Sequence, residues 1–260
     1  MDDFDGSDHP WWEESDPERA HQKYLGVHGS DTNRSKIAIT ERLLGGYNFA
    51  GKSVLEYGCG GGYFTIWMAK RGAHVLAIEK NPNAIGAVNF YAAKERVADR
   101  IRVMEGDAVR DAVDGQYDFI FAKDLVEHLD DDGQFFRRLG EQLKRGGHAY
   151  LATQNDHSLN YLIEGTYERR YRGNVQWHGW DKTHVRFYNA PRLARRMRAV
   201  GIVPERWGSS YLVPWRIVTK RLTGRVRPWT GWTYLDLTLG TTRPFAKWGW
   251  SIMVVGCKEG

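Results

Sequence analysis

Short apolar runs alternate with amphipathic stretches through the middle of the chain. The runs at 53–57, 74–79, 101–105, 118–122 and 147–153 are nearly continuous in apolar residues, as expected of strands covered on both faces. Helical spacing fills the gaps at 62–71, 83–97 and 131–144. Strand and helix in alternation predict a parallel sheet joined by right-handed crossovers. Upstream, 21–48 is predicted to hold one or two helices broken at Gly45-Gly46. Downstream, Asn189-Ala190-Pro191 supplies a capping residue and a first-turn proline for a helix that ends at Gly201. A strand over 202–207 follows, and WSIMVVGCK closes the chain as another. The connection 211–248 is unusually long. It carries Tyr211, Trp215, Trp229, Trp232, Tyr234 and Trp248, and is expected to form a partly helical flap. Residues 1–20, acidic and proline-punctuated, are expected to be disordered. Residues 21–260 then form one domain, with 21–48 as a helical lid and 211–248 as an insertion.

The first apolar strand runs straight into a glycine loop, VLEYGCGGGYFT, and Glu79 closes the second strand. Gly58, Gly60 and Gly62 let backbone approach a ligand where a Cβ would collide. A carboxylate at Glu79 can grip the two hydroxyls of a ribose. Together they describe a pocket for an adenosyl ligand. Asp107 and Ala108 follow the third strand, available to an adenine edge, and Asp124, Glu127 and His128 follow the fourth. All lie at carboxyl ends of strands, where open α/β sheets bind ligands. A nicotinamide cofactor competes for the loop, but Glu56 on the first strand would repel its pyrophosphate and attract an ammonium.

Composition bounds the picture without deciding it. Of the 260 residues 42% are hydrophobic and 27% charged, with room for one large α/β domain. No apolar run approaches the roughly 20 residues of a membrane span, and the acidic start lacks a signal-peptide layout. Two cysteines, Cys59 and Cys257, offer no disulfide framework, so a cytoplasmic setting is expected. The formal charge of +5 suits nucleic acid, a membrane face or an anionic substrate equally.

The order of these pieces over about 50–205 resembles the class I S-adenosylmethionine-dependent methyltransferases. The resemblance implies a Rossmann-like α/β fold: a seven-stranded, mostly parallel sheet with helices on both faces, an antiparallel last strand and here an aromatic-rich flap. It implies S-adenosylmethionine as cofactor, with Gly58, Gly60 and Gly62 along its methionine part, Glu79 at the ribose and Asp107 at the adenine amino group. Glu56, Ala108 and Asp124 complete the expected cofactor site.

Asp124-x-x-Glu127-His128 and DKTHVRFYNAPRL at 181–193 bring the likeness closer to the ubiquinone-pathway O-methyltransferases. A hydroxyl or phenol acceptor benefits from a base, and His128 has a suitable intrinsic pKa, with Glu127 beside it. The bland reading makes His128 a cap on the following turn. Relatives that methylate small RNAs bind a divalent ion through a similar motif and a later histidine. Here that set would be Asp124, Glu127, His128 and His184, and it is the disfavoured reading.

Trp177, Trp180 and Tyr188 flank His184 and could line an acceptor pocket, or simply cover the sheet edge. Tyr24 and the helix around it are placed as a lid over the cofactor. RLARRMR at 192–198 reads as a solvated helix face, with Leu193, Met197 and Val200 toward the sheet. WRIVTKRLTGRVRPW at 215–229 alternates apolar and basic residues; it reads first as a plain surface helix, and could also lie on an anionic membrane or hold RNA phosphates. The leading expectation is methyl transfer to a small molecule, at oxygen, with a lipid-like acceptor and peripheral membrane contact left open. The alternatives are a metal-assisted RNA 2′-O-methyltransferase and a nonenzymatic binding protein. No RNA-binding module is visible, which disfavours a nucleic-acid partner. The sequence carries no signal for oligomeric state.

Overall fold

The structure, a computed structural model, describes residues 10–111, 113–179, 181–225 and 230–260. Seven strands form one sheet in the order β3-β2-β1-β4-β5-β7-β6. They are β1 (Ser53–Tyr57), β2 (His74–Glu79), β3 (Ile101–Glu105), β4 (Tyr117–Lys123), β5 (Leu143–Gln154), β6 (Ile202–Ser210) and β7 (Ser251–Lys258). The first five run parallel, and β7 lies antiparallel between β5 and β6. Strand order reverses around β1, flanked by β2 and β4, which opens a crevice at the carboxyl ends there.

Successive side chains of each strand enter opposite layers, so both faces are apolar. Val54, Phe119, Phe121 and Tyr150 join Phe49, Phe64 and Trp67 on one face. Leu55, Tyr57 and Ile120 meet Phe135, Leu193 and Met197 on the other. Double coverage explains the continuous apolar runs.

The helices are α1 (Pro17–His28), α2 (Asp31–Leu44), α3 (Tyr63–Ala69), α4 (Pro82–Lys94), α5 (Asp132–Gln142), α6 (Thr166–Tyr171), α7 (Ala190–Arg198), α8 (Trp215–Thr223) and α9 (Thr230–Leu239). A π-helical turn, Tyr161–Gly165, leads into α6. Short side chains set the starts: Asp16, Asn81, Asp131 and Asn189 each accept from a backbone amide of the turn they precede.

Three expectations need correction. Residues 11–20 are ordered, with a 3-10 turn at Trp11–Glu13 and α1 starting at Pro17. Trp11 packs edge-on against Tyr24 at 4.9 Å, and the Trp12 carbonyl accepts from the side chains of Asn81 and Asn83. Local acidity was outweighed by aromatic packing of the half-buried Trp11. Residues 1–9 lie outside the described residues. Second, β5 starts at Leu143 rather than 147, because Gly146, at φ +72°, lets the strand bulge where its register against β4 shifts. Third, β6 extends to Ser210.

The flap holds α8 and α9, and buried Asp236 of α9 accepts from the amides of Tyr211 and Leu212. Tyr211 and Trp215 cluster with Trp177 and Trp250, joined by Trp232, Tyr161 and Phe187. Tyr234 and Trp248 instead point outward, and Trp229 is outside the described residues. On α7, Leu193 and Met197 are buried as expected, while Arg196 pairs with Asp132 at 2.8 Å.

Candidate active site

The cofactor side is built by the ends of β1 to β4. Past β1, Gly58, Gly60 and Gly62 hold φ of +69°, +53° and +83°, the left-handed region that favours glycine. At Gly61 a Cβ would collide with the Tyr24 ring, so α1 lies directly on the loop.

Glu79 is tied to the same loop. Its Oε2 accepts from the Gly60 amide at 2.9 Å, and its Oε1 from the amides of Lys80 and Asn81 at 2.9 and 3.0 Å. Backbone donors therefore fix the carboxylate against the turn it must serve. Asp107 makes a comparable turn after β3, accepting from Val109 and Arg110 at 2.8 and 3.0 Å. Burial raises its pKa, but those amides and the Arg110 charge more than reverse this, leaving it lowered. Ala108 beside it is buried.

Glu56 is buried on β1 and accepts from the Thr65 hydroxyl at 2.6 Å. Burial pushes its pKa up to about 8, so in the free protein it holds a proton near neutrality. An ammonium beside it would draw that proton off. Asp124 has φ +52° and is clamped by Lys36 of α2 at 2.9 Å and by Lys123 at 2.8 Å. Burial works against its charge, but the two ammonium groups prevail and hold it well below the usual carboxylate range. The crevice thus offers turned backbone, an anchored ribose-type acid and a buried acid next to a charged cluster. These residues fit an adenosyl cofactor with an amino-acid tail.

The acceptor side starts one turn later. Glu127 is fully buried, accepting from Thr153 at 2.8 Å and Gln154 at 3.5 Å. Burial first, then the Asp124 charge, raises its pKa to about 8. Its carbonyl accepts from the Val185 amide at 2.9 Å, which pins the 181–188 segment against the Glu127-His128 pair. His128 Nδ1 is 2.9 Å from Thr183 Oγ1, and that hydroxyl is 2.7 Å from Asp181 Oδ1. The buried His184 ring lies 4.8 Å from that of His128. Its Nδ1–H donates to the His178 carbonyl at 2.9 Å, and burial, then the neighbouring His128, lowers its pKa.

One donor atom each from Glu127, His128 and His184 falls within 4.8 Å of the others. Asp124 is not part of this group, being held by its two lysines, so the four-residue metal set contracts to three. Trp177, Phe187 and Trp250 stand behind His184, with Phe187 at 5.9 Å from its ring. Tyr188 belongs to the core: its hydroxyl donates to Asp132 at 2.6 Å. Trp180 lies outside the described residues.

Four features escaped the sequence. Lys36 sits 88 residues before Asp124, with no local mark. Thr183 and Asp181 lie inside DKTHVRF, but their contact with His128 is long-range. The stretch Leu159–Tyr171 turns its apolar side outward: Leu159, Leu162, Ile163 and Tyr171 are 49, 52, 47 and 73% exposed. Asn160 and Gly165 face inward.

Known proteins resemble this chain in sequence and in fold. A family model described as a methyltransferase domain matches residues 29–204. The ubiquinone biosynthesis O-methyltransferase of Acinetobacter baylyi is 29% identical over 154 residues, 59% of this chain and 60% of the relative. That of Pseudomonas aeruginosa is 28% identical over 160 residues, 62% of this chain and 64% of the relative. The chain thus spans less than two thirds of these relatives' length. Among solved structures, magnesium protoporphyrin IX methyltransferase from Synechocystis, with bound SAH, superposes at TM-score 0.62 and 14% identity, covering 91% of this chain and 93% of that one. An S-adenosylmethionine-dependent methyltransferase from Mesorhizobium loti does so at 0.57 and 14%, covering 90% and 100%. At such identity these two share the fold. With a matching family model over more than half its length, the chain belongs to the methyltransferase-domain family, with S-adenosylmethionine as its cofactor.

Proposed function

We propose that the chain methylates an oxygen of a small, lipid-like acceptor, with His128 as the base. The observation that carries this reading is the place of His128: just past β4, between the cofactor crevice and the aromatic cluster, and backed by its own hydrogen-bond partner. When bound, S-adenosylmethionine would supply an activated methyl group, which the acceptor oxygen would attack in line as the carbon–sulfur bond breaks and a neutral thioether leaves. The proton lost by the oxygen passes to the imidazole. Phenols remain protonated near neutrality, so a base of this kind contributes about 10²–10⁴-fold. Holding both partners at attack distance supplies much of the rest. The names of the curated relatives, O-methyltransferases of ubiquinone biosynthesis, support oxygen as the acceptor atom.

The lipid-like character rests on the outward apolar side of Leu159–Tyr171, with exposed Arg170 and Arg172 beside it. Apolar residues rimmed by arginine suit an anionic bilayer surface. In this reading the membrane-facing segment is this one, which also packs on the aromatic cluster through Tyr161. Among the described residues no helix is long and apolar enough to cross a membrane.

A second reading has one observation in its favour, the close donors of Glu127, His128 and His184. A divalent cation held by them would polarise the acceptor oxygen directly. Labelled S-adenosylmethionine, offered to catechols of increasing alkyl length with anionic vesicles and to total RNA, separates the readings. Methyl ethers that form faster on the longer catechols, untouched by chelator, support the proposal. Labelled RNA, abolished by chelator, would replace it with the second reading.

A further inference from the structure

A histidine can act as a base through Nε2 only if its proton sits on Nδ1, and the surroundings of His128 decide where that proton sits. The Thr183 hydroxyl has one hydrogen and two neighbours, Asp181 Oδ1 at 2.7 Å and His128 Nδ1 at 2.9 Å. An ionised carboxylate only accepts. Asp181 is ionised near neutrality. Burial raises its pKa, but the Thr183 hydroxyl and amide and the nearby histidines bring it below its ordinary value. The hydroxyl hydrogen therefore goes to Asp181, and the hydroxyl oxygen is left to accept from His128. Its only available donor there is an Nδ1–H.

We infer that Thr183 and Asp181 are positioning residues: through Asp181 Oδ1, Thr183 Oγ1 and His128 Nδ1 they keep the imidazole proton on Nδ1 and leave Nε2 its lone pair. The amide of Thr183 also donates to Asp181 Oδ1 at 2.8 Å, so a tight turn holds the hydroxyl in place. The amide of Val185, bonded to the Glu127 carbonyl at 2.9 Å, holds that turn beside His128. The adjacent His184 has the same polarity, since its Nδ1–H donates to a carbonyl and its Nε2 is likewise left as an acceptor. Two rings oriented alike by partners on Nδ1 place two lone pairs at one end of the acceptor side. An orienting partner of this kind is typically worth about 10–100-fold in activity.

This inference rests on His128 as the base, and its test reads the tautomer separately from turnover. Nitrogen-15 NMR of histidine-labelled protein reports which ring nitrogen carries the proton, and His128→Gln identifies the His128 signals by their loss. The wild type is expected to show Nδ1–H. In Thr183→Val, which keeps the shape and removes the hydroxyl, and in Asp181→Asn, the signals are expected to move toward Nε2–H. Turnover is expected to fall about 10–100-fold with the KM for S-adenosylmethionine unchanged, and Thr183→Ser to restore both signals. An unchanged tautomer in Thr183→Val, or Nε2–H in the wild type, would overturn the inference. A shifted tautomer with full turnover would leave the positioning intact and remove His128 as the base. Circular dichroism of each variant controls for folding.

Discussion

The two halves of the active site are built in opposite ways. The cofactor half comes from short loops at the ends of adjacent strands: Gly58 to Gly62 after β1, Glu79 ending β2, Asp107 after β3. Each follows its strand at once, so its position is set by the sheet. The acceptor half gathers His128, Asp181, Thr183 and His184 with Trp177 and Trp250, spread over more than a hundred residues. His128 follows β4, the 177–184 segment follows β5 and Trp250 precedes β7, so they meet only through tertiary packing. On the proposed reading the first half can serve any acceptor, and the second chooses one.

That difference can be broken open by variants confined to one half. The largest effect is expected from His128→Ala, with a turnover lower by about 10²–10⁴-fold in steady-state assays. In the cofactor half, Gly61→Val forces a side chain into Tyr24. Overpacking of this kind costs about 1–3 kcal/mol, and S-adenosylmethionine affinity by calorimetry is expected to drop about 10–100-fold.

Glu56 gives a smaller, pH-dependent effect. Its pKa in the free protein is about 8, against an ordinary 4.5, while the proposed contact with the cofactor's ammonium requires the carboxylate. Binding therefore releases a proton, and affinity should rise by up to about tenfold per pH unit below about pH 8 and then level off. Calorimetry in buffers of different ionisation enthalpy checks the proton count, and Glu56→Gln should abolish the slope. The same shift acts on folding. A raised pKa gives stability that is complete below 4.5 and lost as pH climbs to about 8, so the free enzyme loosens over that window. Glu127, also raised to about 8, adds in the same direction. The smallest effect belongs to the outer surface. Leu162→Asp should weaken sedimentation with anionic vesicles several-fold while leaving turnover on a short, soluble catechol intact.

Legibility in the sequence followed the same division. Continuous apolar runs gave the core strands of the sheet, and Asn189 marked a helix start, because these signals act within a few residues. Glu79 was visible for the same reason. Lys36 was not: its meaning depends on α2 crossing to the end of β4, a contact 88 residues long. Thr183 carries no chemical mark of its own until folding sets it between Asp181 and His128. The ordering of Trp11 failed to show because its partner, Tyr24, lies in another element, and composition alone favoured disorder. The outward apolar side of Leu159–Tyr171 was hidden by its helical spacing, which looks like an ordinary buried face until the inside and outside are known.

Titration calorimetry of S-adenosylmethionine into the wild type, His128→Ala and Glu79→Ala tests the independence of the two halves most directly. His128→Ala is expected to bind within about twofold of wild type, and Glu79→Ala about 10–100-fold more weakly, through loss of the ribose contact and of the carboxylate that accepts from Gly60. Cofactor binding lost in His128→Ala, or retained in full by Glu79→Ala, would contradict it.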